Sequence, residues 1–319
     1  MRRGIFDANV RDYQGDIEVN RGIRATLEKA EGEDFWWLNN GITIVVDETT
    51  HSSKSLTLKN PQIVNGLQTS QEIYHVLQAS KKDEARNLLV RVLVPQPEVE
   101  GSYQRIVRAT NSQTSVSPAS MRATDPFHRD IEDFLKANKL YYERRKNYYK
   151  NEGRPRDAII SVQYLAQAVM AILLGRPNDA RARPSTLLKN DQDYQKVFNS
   201  AHPVKMYLAC AQLMKRCEAF LRSKGLEQKE VNNLKYHLAM LVSRMAANQA
   251  TPTSEQIAKI DINKLDASFL EGCFATASQA YNRQGGNDQA AKGPRLVEKL
   301  KQKLERSLYK SRLSRRKSS

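Results

Sequence analysis

The chain has 319 residues, 40% of them apolar, enough to bury two cores. A formal charge of +16 points to a polyanionic partner or a basic surface without naming a fold. Cys210, Cys217 and Cys273 form no CxxC and no zinc spacing with the five histidines, and the longest apolar run, near Ala166 to Leu174, is too short for a bilayer. The cysteines read as small buried hydrophobes in a reducing compartment, and the protein as cytoplasmic with no membrane insertion.

Residues 5 to about 155 read as mixed α/β. Val19, Ile23 and Leu27 give helical spacing over Val19 to Glu28, and the β-branched run Gly41 to Val46 predicts a strand. Leu56 to Leu58 and Gln62 to Val64 predict short strands broken by Asn60-Pro61. A helix is predicted to start at Thr69 or Ser70, either a good N-cap, and Leu88 to Val94 reads as the strongest strand. From about residue 158 the periodicity turns helical, over 159–174, 191–198, 204–223, 229–247, 253–259 and 266–281, predicting a bundle. Gly285-Gly286-Asn287 reads as a linker before a basic helix striped by Leu296, Leu300, Leu304 and Leu308. From Lys292 onward there are eleven Lys and Arg against two Glu, so nine of the net charges lie in the last 28 residues. The fold class is therefore mixed α+β: an α/β recognition domain at 1–157, a helical domain at 158–284 and a basic tail at 285–319. The tail reads as a nucleic-acid contact, an acidic-lipid contact or a short coiled coil.

Three amide-rich segments interrupt the α/β half: FWWLNNGITIVVD, NPQIVNGLQTS and RATNSQTSVS. Amides donate and accept without changing charge, which suits reading the edge of a base and does not suit proton transfer. They make Asn39, Asn40, Gly41, Asn65, Gly66, Gln68, Thr69, Asn111, Gln113 and Thr114 candidate ligand-binding residues. Strand, Asn-Gly turn and helix start also present backbone N–H groups toward an anion, although the same pattern serves as a plain structural turn. A basic-aromatic run from Lys139 to Lys150 places Arg144, Arg145, Lys146, Tyr148 and Tyr149 as candidate phosphate and stacking contacts. The alternative is that its tyrosines pack inward. Arg108, Arg122, Arg181 and Arg183 are further phosphate candidates, with salt bridges from the last pair to Asp125, Asp130 or Asp179 as the alternative. No catalytic constellation, metal set or cofactor motif emerges: Asp47 ends a strand without a following Glu-x-Lys, Gly66 to Ser70 lacks a Walker lysine, and the histidines are scattered.

The strings FDANVRDYQGDIEVNRGIRATL, FWWLNNGITIV, NPQIVNGLQTSQEIY, RATNSQTSVSPASMRATD, LYYERRKNYYKN and ARARPSTLLK resemble, in that order, the AIPR family of abortive-infection phage-resistance proteins. The resemblance covers most of Phe6 to Leu188 and implies a role in bacterial phage defence without a settled reaction. A looser likeness links the chain to DGQHR-domain and ParB-like proteins. Asn65-Gly66 stands where those have Asp-Gly, Gln68 and Thr69 replace their His and Arg, and Asn111, Gln113 and Val116-Ser117 resemble their second segment. AIPR relatives usually carry an additional N-terminal domain, in some cases nuclease-like, so a short or truncated form is expected. The expected function is binding of nucleic acid or a nucleotide in phage defence. A nuclease or nucleotide hydrolase using the same pocket, or an adaptor for a partner defence subunit, are the alternatives.

Overall fold

The structure, a computed structural model, describes residues 3–9, 12–29, 33–80, 85–96, 98–99, 101–111, 125–183 and 191–317, and only the backbone of 108, 191 and 310–317. It is mixed α+β, with few strands and many helices. Its contacts group into two units, 1–128 with 143–159 and 129–142 with 160–319.

The first unit holds α1 (Glu18–Glu28), β1 (Ile42–Val45), β2 (Glu48–Ser52), β3 (Ser55–Lys59), β4 (Gln62–Asn65), α2 (Leu67–Ser80), β5 (Val90–Leu93) and α3 (Ser102–Asn111). A three-stranded sheet runs β4-β1-β5, with β1 antiparallel to β4 and parallel to β5. Val45, Val64 and Val107 form one small core, and Phe6, Ile63 and Leu67 another. The β2–β3 hairpin carries exposed side chains almost throughout, so it adds little to either. In chain order there follow α4 (Pro126–Ala137), β6 (Tyr141–Glu143), α5 (Tyr148–Asn151) and β7 (Ile159–Ser161), with β6 pairing to β7.

The second unit continues with α6 (Val162–Ile172), α7 (Pro177–Ala182), α8 (Asp191–Val197), α9 (Val204–Ser223), α10 (Gln228–Ala247), α11 (Ser254–Ala258), α12 (Ala267–Asn282), α13 (Asp288–Lys292) and α14 (Pro294–Lys317). Helices α6 and α10 are buried almost all round and form its centre. All three cysteines are unpaired and buried, and burial pushes the Cys273 thiol up to about 11. No helix of the described residues is long and apolar enough to cross a membrane.

Several expectations shift. α2 begins at Leu67 rather than at Thr69 or Ser70, because the Gly66 carbonyl already accepts the Ser70 N–H at 2.9 Å. The run expected as the strongest strand is the short edge strand β5, on which Val90 stays 46% exposed. Among the described residues no further strand pairs with its outer edge. The segment expected as a tail is no appendage. Gly285 and Gly286 form a tight turn, Asn287 caps α13 by accepting from the Ala290 N–H at 3.0 Å, and Leu296, Leu300, Leu304 and Leu308 are buried. α14 packs on α10 and α12.

Leu300→Ala should therefore cost about 2–5 kcal/mol in denaturant unfolding, and removal of residues 292–319 should lower the melting temperature rather than leave the fold intact. His237 is fully buried, with its Nδ1 donating to the Asn233 carbonyl at 3.1 Å, and burial lowers its pKa to about 4. The unfolded chain takes up that proton near pH 6.5, so stability held above 6.5 is lost as the pH falls toward 4. Urea unfolding at pH 7 and pH 5 should show the drop, and His237→Gln should shrink it.

Candidate functional site: an amide-lined cleft

A cleft of about 610 Å³ opens in the first unit, lined by α1, the 35–41 turn, the β4–α2 turn and the end of α3. Its position follows from strand direction. β1 and β4 are antiparallel with Thr43 opposite Asn65, so Asn39-Asn40-Gly41 before β1 and Asn65-Gly66 after β4 emerge at the same end of the sheet. The two turns press on each other. Gly66 has φ +95°, and a Cβ there would lie 2.8 Å from the Gly41 carbonyl oxygen. Gly41 has φ +72°, and a Cβ there would lie 2.2 Å from the Leu89 carbonyl oxygen. Only glycine meets both demands.

The predicted ligand residues Asn39, Asn40, Gly41, Asn65, Gly66, Gln68, Thr69 and Asn111 all line this cleft. Asn111 stands at the last described position of α3 rather than in a turn. Gln113, Thr114 and Arg122 lie outside the described residues, as does the Arg108 side chain.

The amides divide by role. Gln68 is spent: its Oε1 accepts from the Gln14 N–H (3.1 Å) and Asn20 Nδ2 (2.9 Å), and its Nε2 donates to the Asp12 carbonyl (3.2 Å). Asn39 bonds the Thr69 hydroxyl at 3.2 Å and accepts from the Gly41 N–H at 2.8 Å, which ties the first turn to α2. Asn65 and Asn111 use their Nδ2 groups on backbone carbonyls, Asn65 on Thr110 (2.7 Å) and Asn111 on Val64 (2.9 Å) and Val107 (2.8 Å). Their Oδ1 atoms have no partner among the described residues, and neither does the Asn40 side chain.

Among the described residues lining the cleft none is Asp, Glu, Lys, Arg or His, and no group of metal-ligating residues was found among the described residues. These lining residues can bind and orient but cannot hold or pass a proton near neutral pH. The nearest charges are turned to structure. Glu72 is fully buried, taking a 2.5 Å hydrogen bond from the Tyr13 hydroxyl and a 2.9 Å bond from Arg24 Nε, and so pins α1 to α2. Burial, with the bond to Glu72, pushes the Tyr13 phenol up.

Sequence reasoning missed the wall made by α1 and the segment before it. Asn9, Gln14, Ile17, Val19, Gly22 and Ile23 all line the cleft. The spacing of Val19, Ile23 and Leu27 gives the helix but not its face: of the three only Leu27 is buried, and Val19 is 61% exposed. The one available signal was a glycine amid good helix formers on that face.

The basic-aromatic candidates do not join this site. Arg145 is 7% exposed, with Nη1 3.3 Å from Asp7 and from the Phe6 carbonyl and its guanidinium 4.0 Å over the Tyr148 ring. Arg144 is equally buried; burial first and its charge second lower His128 to about 3. Tyr149 is 1% exposed and meets Tyr148 edge-on at 5.0 Å, so its ring belongs to the core rather than to a stacking surface. Lys146 stays exposed. In the second unit Arg181 bonds Asn233 (2.9 Å) and pairs with Asp288, not with Asp125, Asp130 or Asp179, while Arg183 is exposed.

Fold and cleft together define a mixed α+β protein whose first unit carries an uncharged, amide-lined cleft. The family of AIPR proteins matches residues 6–292, and the chain belongs to it. No curated protein and no solved structure matches the chain, and the ParB-like likeness is not shown. Membership suggests a role in phage defence by abortive infection.

Gly66→Ala should cost at least ~1–3 kcal/mol, from left-handed strain together with the close approach to Gly41. Chemical denaturation of the variant beside wild type measures it.

Proposed function

We propose that the protein serves phage defence by binding nucleic acid or a nucleotide, with one heterocyclic base held in the amide-lined cleft. The observation that carries this reading is the set of polar atoms left over once the structural bonds are made: the whole Asn40 amide and the Oδ1 atoms of Asn65 and Asn111. A neutral base offers ring nitrogens, carbonyls and exocyclic amino groups along one edge, which such atoms match without a charge to desolvate. Ile17, Ile23, Phe35 and Leu38 give the cleft an apolar wall for the base's faces. The first turn of α2, from Leu67 to Thr69, adds backbone N–H groups that favour a phosphate.

Gly22 supports the same reading. It sits inside α1, lines the cleft, and a Cβ there would meet nothing within 4 Å. A mid-helix glycine costs about 1 kcal/mol against a good helix former, so open space in the cleft is what it provides.

Two variants test this by calorimetric titration with nucleoside monophosphates and short oligonucleotides. Asn40→Ala should weaken the tightest ligand roughly threefold to tenfold, the worth of one net hydrogen bond. Gly22→Leu should abolish binding while holding or raising the melting temperature. Unchanged affinity in both would remove the cleft from the function.

A further inference from the structure

The turn that carries Asn39 and Asn40 begins Phe35-Trp36-Trp37-Leu38. Phe35 is buried, but Trp36 is 41%, Trp37 66% and Leu38 57% exposed; Phe35 and Leu38 of this turn line the cleft, as does Val19, which is 61% exposed. The two indoles meet edge-to-face at 5.9 Å. Large apolar side chains ordinarily leave water, and a cluster of them marks a surface that something covers. These two residues are also the only tryptophans in the chain.

Resting on the base-binding reading above, we infer that the ligand is a single-stranded nucleic acid. One unpaired base enters the cleft, and its neighbour stacks on the exposed indoles of Trp36 and Trp37. Three features converge on an unpaired strand. The free amide atoms of Asn40, Asn65 and Asn111 need the hydrogen-bonding edge that a duplex hides in its own pairs. A duplex could deliver a base to the cleft only by unstacking and unpairing it, at a cost a single strand does not bear. An indole face accepts any base, because every base has a π-face. A lone mononucleotide would fill the cleft and leave the tryptophans uncovered. The described lining also holds no cation, so the backbone would run along the rim in water.

Because Trp36 and Trp37 are the only tryptophans, intrinsic indole fluorescence reports this rim alone. The full chain is titrated with a mixed-sequence single-stranded oligonucleotide, a hairpin duplex of the same composition, and the four nucleoside monophosphates. The single strand should quench saturably, and the duplex and monophosphates should quench little. Trp37→Ala should weaken single-strand binding about 5- to 150-fold, read by anisotropy of a labelled strand, with the melting temperature unchanged. Trp37→Phe should restore much of the loss. Equal quenching by duplex and single strand, or unaltered affinity in Trp37→Ala, would overturn the inference. If Gly22→Leu abolishes binding while Trp37→Ala does not weaken it, the base cleft stands and only the stacking fails. If neither variant weakens binding, both readings fail. Self-association in sedimentation that Trp37→Ala abolishes, without a nucleic-acid effect, would reassign the patch to a second copy of the chain.

Discussion

Everything in the cleft depends on the contact between the Gly41 and Gly66 turns at one end of the β1–β4 pair. Antiparallel pairing brings the turns to the same edge, and the absence of two Cβ atoms lets their backbones touch. That contact sets where β1 begins, where α2 begins and how Asn39 reaches Thr69. It also explains why the turns are rich in amides. Backbone groups in a tight bend at a sheet end lack regular partners, and amide side chains supply them at short range. On the proposed reading, the same chemistry serves recognition. An amide that donates its Nδ2 to a carbonyl, as Asn65 and Asn111 do, is held rigidly with its Oδ1 still available. Structure and reading are two ends of one side chain.

This division of labour bears on what the cleft can distinguish. A site built from fixed acceptors rejects a ligand that cannot donate to them, because a buried acceptor left without a partner loses its hydration for nothing. Asn111 is 7% exposed as a residue and is fixed by two bonds from its Nδ2, so on the proposed reading its Oδ1 offers an acceptor in one fixed place. Asn40 is exposed and has no side-chain partner among the described residues, so on the proposed reading it can turn its amide to suit a ligand.

Much of this was legible in the sequence, because it was local. Amide clusters beside β-branched runs marked the turns, and the helical periods of α9, α10 and α12 were read within a residue or two. What escaped depended on neighbours distant in sequence. The stripe of Val19 and Ile23 carries the same spacing whether it faces a core or a cleft, and only the placement of α1 decides. Arg144 and Arg145 look like surface cations until Asp7 and the Phe6 carbonyl, far back in the chain, are brought to Arg145. The leucines of α14 gave a narrow stripe fit for a coiled coil or a lipid surface, and the face of α12 and α10 that covers them is irregular in sequence.

Burying those leucines has an electrostatic consequence. With Leu296, Leu300, Leu304 and Leu308 turned inward, Arg295, Lys299, Lys301 and Arg306 must lie on the outward face, where they are exposed. Arg283, Arg295, Lys299 and Lys303 share a second cleft of about 980 Å³ with the single acid Glu298. The helix thus holds the bundle together and concentrates its positive potential, so truncation removes both at once. Exposed cations are free of that coupling. Replacing Lys299, Lys301 and Arg306 by Gln keeps the leucine face, and the change in salt dependence of nucleic-acid binding then measures charge alone. Such attraction raises the local concentration of any polyanion without selecting among sequences, and on the proposed reading selection falls to neutral atoms like those of the amide cleft.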